Sequence, residues 1–323
     1  MAILVIGAAG YLGRHICASL HDGGQEVVAL DRNVRSIRNR FRCMSVIEAD
    51  VREADRLREE LDCLGIDRVI YLATTTDATG CLGAPGGSLY DFLALRSAMA
   101  LARSLRVERF LFASSVAVYG NTGIDGATES TPPRPSTLYG RLKLCQEELL
   151  RRISRDTHVS VVVLRVANVV GCRGSLGDQR ETGTKALVPS LLDACMNGEG
   201  FSLFGTDYPT GDGSAIRDFV CVDDVVDALE KALHLAGTNG QYHVVNIGTG
   251  VARSVLDVLA TVTSVTGKSV VTRRAERRVG DLWRAVANCT AAGELEWKPQ
   301  GTFRDAVASA WDSRLAKTVL ANQ

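Results

Sequence analysis

Four apolar residues, Ile3-Leu4-Val5-Ile6, run straight into Gly7-Ala8-Ala9-Gly10-Tyr11-Leu12-Gly13. Beyond this run, Ile16 and Leu20 lie four apart, the spacing of one helix face. The stretch predicts a strand, a glycine-rich turn and a helix. Glycines at such a turn let the backbone bend tightly and come close to a pyrophosphate, whose charge then rests on the helix N-terminus. The next apolar run, Val27-Val28-Ala29-Leu30, ends in Asp31. An acidic residue about 20 positions after such glycines is placed to bind ribose hydroxyls. Strand, turn, helix and acid together predict a dinucleotide site at Gly7, Gly10, Tyr11, Leu12, Gly13 and Asp31. Asp31 would repel a 2′-phosphate, which favours NAD over NADP. Arg32, Arg35 and Arg38 could receive that phosphate but read better as a solvated face.

The pattern continues. Val46 to Ala49 reads as a third strand, 52–63 as a charged helix and Arg68 to Ala73 as a fourth strand. Residues 74–88 are rich in Thr and Gly and predict a loop, followed by a helix over 89–105. Phe110 to Ala113 is a fifth strand that delivers Ser114 and Ser115 at its carboxyl end. A loop over 121–137 leads to another helix, and Val159 to Val166 is the continuous β-branched run of a buried parallel strand. Strand and helix alternate through residue 170, which predicts an α/β fold with a Rossmann-like, doubly wound parallel sheet. Ligands of such sheets bind beyond the carboxyl ends of the strands.

Past 170 the rhythm changes. Residues 171–184 are polar and glycine-rich, and a helix follows Pro189. Phe201 to Phe204 and Arg217 to Val220 read as strands, with a turn-rich stretch between them. A helix runs from Asp223, Tyr242 to Ile247 is a strand, and the remainder reads as short helices and strands. The division expected is a dinucleotide-binding Rossmann domain over 1–169 and 213–248, and a smaller domain over 170–212 and 249–323.

Chemistry is concentrated in Ser114-Ser115-Val116-Ala117-Val118-Tyr119-Gly120 and Tyr139-Gly140-Arg141-Leu142-Lys143. Tyr139 and Lys143 are four apart on a predicted helix and so share a face. A free Tyr ionises near pH ~10, too high for a base at neutral pH, and a neighbouring ammonium favours the phenolate. A hydroxyl from Ser115 could share the proton. The set suits moving a proton on and off an alcohol.

Composition narrows the alternatives. Among 323 residues, Lys+Arg and Asp+Glu both number 37, so no global basic field points to nucleic acid. The nine cysteines show no metal-ligand spacing and read as reduced, mostly buried thiols of a cytoplasmic protein, with no metal site. No apolar run reaches membrane-spanning length, and the first residues lack the pattern of a signal peptide.

The segment Leu203-Phe204-Gly205-Thr206-Asp207-Tyr208-Pro209-Thr210-Gly211-Asp212-Gly213-Ser214-Ala215-Ile216-Arg217-Asp218-Phe219-Val220 resembles the extended short-chain dehydrogenases/reductases, and among them the UDP-glucose (UDP-galactose) 4-epimerases. Arg277-Arg278-Val279-Gly280-Asp281 and the Asn168 that follows Leu164-Arg165-Val166-Ala167 carry the same resemblance, which covers nearly the whole chain. It implies catalytic roles for Ser115, Tyr139 and Lys143. For NAD it implies, besides the residues above, Arg32, Asn33, Asp50, Val51, Leu72, Ala73, Thr74, Ser114, Tyr139, Lys143 and Ala167. For a UDP-sugar it implies Ser115, Asn168, Ala186, Leu187, Ser202, Leu203, Phe204, Arg217, Arg278, Asp281 and Ala285. Arg217 and Arg278 would clamp a diphosphate, Asn168 would donate to a phosphate oxygen and Asp281 would accept a ribose hydroxyl. The backbone near Ser202 to Phe204 would read the uracil edge. The implied reaction oxidises the sugar at C4, turns the 4-keto sugar over in the pocket and reduces its other face. Relatives commonly form homodimers through the helices around 89–105 and 137–151.

Several positions depart from that family. Tyr71 stands where it usually has His, Thr76 where a polar residue such as Lys is usual, and Phe92, Leu93 and Leu95 replace an Asn-rich stretch. Residues 79–88 could be a flexible loop or a reshaped sugar pocket. Ala285, four positions after Asp281, is small where narrow-specificity relatives carry Tyr, which leaves room for an N-acetyl group at the sugar C2. Alternatives are a 4,6-dehydratase, an epimerase acting on a different nucleotide sugar, and a non-catalytic NAD-binding sensor. A dehydratase needs an acid beside the Ser, where this chain has Val116-Ala117.

Overall fold

The computed structural model describes residues 1–38, 41, 44–74, 87–177, 186–235, 240–278 and 280–321. Its main sheet holds β1 (Ala2–Ile6), β2 (Glu26–Asp31), β3 (Ser45–Glu48), β4 (Ile66–Tyr71), β5 (Arg109–Ser115), β6 (Ser160–Val166) and, further along the chain, a strand over Tyr242–Ile247. The spatial order is Tyr242–Ile247, then β6, β5, β4, β1, β2, β3, and every pairing is parallel. The chain winds outward from β1 to β3 and then crosses to β4 on the other side of β1. The carboxyl ends of β1 and β4 therefore flank the switch point where such sheets open a crevice.

Helices cover both faces. The first half supplies α1 (Tyr11–Asp22), the single turn α2 (Arg35–Arg38), α3 (Ala54–Asp62), α4 (Gly87–Ser104) and α5 (Leu138–Arg155). Side chains alternate along each strand, so one face buries Ile3, Val5, Leu111 and Leu164 with Ile16 and Leu20 of α1. The other buries Leu4, Ile6, Val69, Phe110 and Phe112 with Leu57 and Leu61 of α3, Leu95 and Met99 of α4, and Leu150 of α5. Burial on both faces is why these strands read as unbroken apolar runs.

The later elements are β7 (Asn168–Val170), α6 (Leu187–Asn197), β8 (Phe201–Phe204), β9 (Ile216–Arg217), β10 (Phe219–Cys221), α7 (Val222–Leu233), β11 (Tyr242–Ile247, the edge of the main sheet), β12 (Arg253–Ser254), α8 (Val255–Thr266), β13 (Thr272–Ala275), β14 (Arg284–Ala285) and α9 (Phe303–Ala321). A third apolar cluster joins Leu191 and Leu192 of α6, Val258 and Val262 of α8, and Val307 and Trp311 of α9.

Three features differ from the sequence reading. The strand expected over Arg217 to Val220 is broken at Asp218, with β9 joining β12 and β14 while β10 pairs with β7. The cause is the Asp218 carboxylate, which is fully buried and accepts hydrogen bonds from Thr249 N, Thr249 Oγ1 and Gly250 N at 3.1, 2.5 and 2.9 Å. The C-terminal part holds two substantial helices, of 12 and 19 residues, rather than short pieces. A Ser254/Asp257 capping box starts α8, and long-range packing into the third cluster buries α9. Among the seven described cysteines only Cys17, Cys172 and Cys195 are buried, while Cys63 and Cys145 are exposed. Thr76 and all of 79–88 except Gly87 and Ser88 lie outside the described residues.

Candidate active site

The first part of the site is the turn between β1 and α1. Gly7 has φ +88°, and a Cβ there would stand 2.6 Å from Ala73 N, so only glycine lets β1 and the end of β4 approach so closely. Gly10 N donates to Gly7 O at 3.1 Å, and Arg14 N to Gly10 O at 3.0 Å. No side chain caps α1. The N–H groups of the first turn of α1 point toward the glycine turn, the arrangement that receives a pyrophosphate. Tyr11 supplies only backbone here. Its ring is 7 % exposed, and its hydroxyl donates to Gly171 O at 2.6 Å.

Asp31 is aimed at the same turn. Its Oδ2 accepts from Ala9 N at 3.0 Å and its Oδ1 from Asn33 N at 3.2 Å. Arg32, Asp50 and Tyr90 form a cluster beside it. The Arg32 guanidinium lies 4.6 Å and that of Arg52 4.2 Å from the Tyr90 ring centre. Tyr90 donates to Asp50 Oδ2 at 3.0 Å, and Arg52 pairs with the same oxygen at 2.9 Å. Burial opposes the charge of Asp50, but the hydrogen bonds from Arg52 and Tyr90 prevail and hold it at about 2. Nothing in the sequence joined Tyr90, on α4, to this edge. Val51 is buried behind it, and Leu72 N donates to Ile6 O at 2.8 Å. A buried floor, a glycine cradle and a helix N-terminus without a side-chain cap fit a dinucleotide.

The unusual residues near this edge point inward. Tyr71 is fully buried, with ring centres of Phe110 and Phe112 at 6.0 and 6.2 Å, and burial raises its pKa. Its hydroxyl and that of Thr74 are buried without a hydrogen-bond partner. Leu95 belongs to the core, while Phe92 and Leu93 are half-buried on α4.

The second part is the end of β5 and the start of α5. Ser115 Oγ accepts from Ala117 N at 3.2 Å and caps a short turn over Val116–Tyr119. Thr137 Oγ1 accepts from Gly140 N at 2.9 Å and starts α5. A Cβ on Gly140 would stand 2.5 Å from Ala117 O, so its absence lets α5 sit directly on the Ser115 turn. Lys143 is 1 % exposed, and its Nζ donates to Ala113 O at 2.8 Å. The same nitrogen lies 5.8 Å from the Tyr139 ring centre. Tyr139 is half-buried. A buried ammonium beside a partly exposed phenol stabilises negative charge on the phenol oxygen. Ser114, expected on the cofactor, instead turns its hydroxyl into the interior, where it donates to Glu147. Only its backbone is available to a ligand.

The third part is joined to the second through the segment that follows the Ser115 turn. Arg217 on β9 pairs with Asp281, Nη2 to Oδ1, at 2.8 Å, and that oxygen also accepts from Leu282 N at 2.9 Å. Burial works against the Arg217 charge, and Asp281 supports it. Arg278 stacks over the Phe204 ring at 4.0 Å. Phe201 N and Gly205 N donate to Val271 and Ala275, so alternation turns the backbone groups of Ser202 and Phe204 to the other edge of β8. That edge pairs with no strand among the described residues. Leu203 is buried between them.

Asn168 N and Nδ2 both donate to Asp218 O at 3.0 Å, which leaves one amide hydrogen of Asn168 for a ligand. Ala167 is buried and bonds through N to Ile247 O at 2.8 Å. Ala186 and Leu187 are half-buried at the start of α6. Ala285 is 3 % exposed and lies on β14 in register with Arg217. The segment after the Ser115 turn carries this strand, for Asn121 Oδ1 accepts from Trp283 N at 2.8 Å and Thr122 N donates to Arg284 O at 3.1 Å. Among the described residues no His, Cys, Asp or Glu cluster could hold a metal, and no helix is long and apolar enough to cross a membrane.

Comparison with known proteins fits this geometry. Residues 3–248 match the family model of NAD dependent epimerases/dehydratases. The chain is 33 % identical to a UDP-glucose 4-epimerase of Bacillus subtilis, with 96 % of each chain covered. It is 32 % identical to one of Rhizobium meliloti, again with 96 % of each covered. The structure superposes with TM-score 0.89 and 28 % identity, covering 99 % of both chains, on a UDP-glucose-4-epimerase of Stenotrophomonas maltophila with bound NAD and formylated UDP-arabinopyranose.

Proposed function

The chain belongs to the NAD-dependent epimerase/dehydratase family, and from that premise we propose that it epimerises a UDP-sugar at C4 with NAD held throughout the cycle. The observation that supports this reading is the packing of α5, with Tyr139 and Lys143, on the Ser115 turn, whose following segment carries β14 beside Arg217 and its partner Asp281. NAD, once held there, would supply the redox chemistry as a hydride acceptor and donor.

The protein supplies position and charge. Gly7 to Gly13, Asp31 and Asp50 hold the dinucleotide. Tyr139 takes the proton of the 4-hydroxyl and later returns it, Lys143 stabilises the phenolate, and Ser115 shares the hydrogen bond. Arg217 and Arg278 hold the diphosphate, the open edge of β8 reads uracil, and Asp281 accepts from the ribose. The nucleotide anchor keeps the 4-keto sugar bound while it turns. Elimination is disfavoured because the residues after Ser115 are Val116 and Ala117 rather than acids.

The small Ala285 supports a sugar range that includes UDP-GlcNAc and UDP-GalNAc beside UDP-glucose and UDP-galactose. The Rossmann unit comprises 1–169 and 213–248, and the substrate unit 170–212 and 249–323. The protein works as a cytoplasmic homodimer joined through α4 and α5. The test is proton NMR of the purified protein with each of the four UDP-sugars and no added cofactor. Interconversion within a C4 pair is expected. Protein that carries NAD and converts none of them would overturn the reading in favour of another nucleotide sugar or a sensor. Ala285→Tyr is expected to lose the N-acetyl pair and keep the other.

A further inference from the structure

A charged pair lies under the proton-transfer site and takes no part in the chemistry just described. Arg165 on β6 grips Glu147 on α5 with Nη2 to Oε2 at 2.7 Å and Nε to Oε1 at 3.1 Å. Their side chains are 6 % and 3 % exposed. Glu147 stands one turn beyond Lys143 on the same helix. It accepts the hydroxyl of Ser114, the neighbour of Ser115. On its other side Arg165 Nη1 donates to the Tyr119 hydroxyl at 2.8 Å, and Tyr119 donates to Asn246 Oδ1 at 2.7 Å. One buried chain of hydrogen bonds thus ties the catalytic helix to β5, to β6, to the turn capped by Ser115 and to β11.

Such a pair gives little net stability, because two charges lose their hydration and well-packed apolar replacements are often as stable. A two-pronged guanidinium–carboxylate pair does fix orientation. We propose that Glu147 and Arg165 are positioning residues: their ion pair sets the rotation and axial register of α5, so that Tyr139 and Lys143 meet at Ser115. The claim that this serves sugar epimerisation rests on the proposed function, whereas the placement concerns only groups of this chain. The charged and titratable groups that are buried around α5 or bonded to it are Asp91 of α4, Tyr119, Arg165 and Tyr242 of β11, whose hydroxyl donates to Glu147 O at 3.3 Å. On α5 itself the buried charged groups are Lys143 and Glu147. Removing Glu147 and Arg165 together leaves the net charge unchanged, so no uncompensated buried charge acts on Tyr139.

The test compares Glu147→Leu/Arg165→Met with the wild type, both as full-length protein carrying NAD. KM for UDP-glucose is expected to stay within about threefold while kcat falls about 10- to 100-fold, the effect of displacing a reacting group by roughly 1 Å. The tyrosinate absorbance that Tyr139→Phe abolishes is expected to appear at higher pH, because Lys143 no longer faces the phenol. Arg165→Lys keeps the charge without the fork and is expected to show the same two changes, and it decides the matter if the double variant does not fold. Unchanged kcat, or a loss matching only the unfolded fraction with the tyrosinate titration unmoved, would overturn the proposal. A wild type that converts no UDP-sugar would sink the epimerase reading alone, since the tyrosinate titration still tests the positioning.

Discussion

Lys143 donates from Nζ to the carbonyl oxygen of Ala113 at 2.8 Å, which fastens α5 to β5 two residues before Ser115. The ammonium is thereby buried with a partner and held on the Tyr139 side of its helix.

Tyr139→Phe removes the proposed proton carrier and is expected to leave the fold intact. We expect kcat to drop about 10²- to 10⁴-fold with bound NAD retained, measured by NMR turnover and by the NAD content of the desalted protein. Lys143→Met should lower both turnover and NAD content, since Ala113 O loses its donor as well. Equal activity in either variant would remove these residues from the mechanism.

Gly7→Ala places a methyl against Ala73 N in a backbone conformation with φ +88°. The two strand ends must separate, and the cradle opens. The variant should elute without NAD and unfold at lower temperature, and added NAD should restore little of the lost thermal stability.

Arg217→Leu removes the guanidinium and leaves Asp281 without its ion-pair partner. Affinity for UDP, followed by calorimetry, should fall about 10- to 1,000-fold, in line with losing a charge-assisted, two-pronged contact. NAD content should not change, because the partners of Arg217 are Asp281 and the strands β12 and β14 and include no residue of the glycine turn. Asp281→Asn should weaken binding less.

Asp50 predicts a particular acid response. Its folded pKa, about 2, lies below the unfolded value of 3.8. The group therefore contributes stability that is fully present above 3.8 and is lost as pH falls through 2. Urea midpoints measured between pH 5 and pH 2 should decline less steeply for Asp50→Asn than for the wild type (a window set by those two values). An identical slope would mean that Arg52 and Tyr90 do not hold the charge in solution.

Parts of this protein were legible because their signals are local. The turn from Gly7 to Gly13, the acid ending β2, and the four-residue spacing of Tyr139 and Lys143 each follow from backbone geometry over a few residues. The alternation of runs up to residue 170 likewise gave the parallel sheet, since buried strands must be apolar on both faces.

Other parts depend on what each segment meets across the fold. The hydroxyl of Ser114 turns inward because Glu147, 33 residues away, accepts it. Tyr90 reached the cofactor edge only because α4 packs it over Asp50, 40 residues earlier. The break at Asp218 comes from Thr249 and Gly250, which satisfy a buried carboxylate that no local pattern reveals. The sequence by itself determined the periodicities and the chemical types of the site residues. Only the tertiary structure decided which buried polar groups pair, because a group removed from water must find its partner wherever the fold brings one.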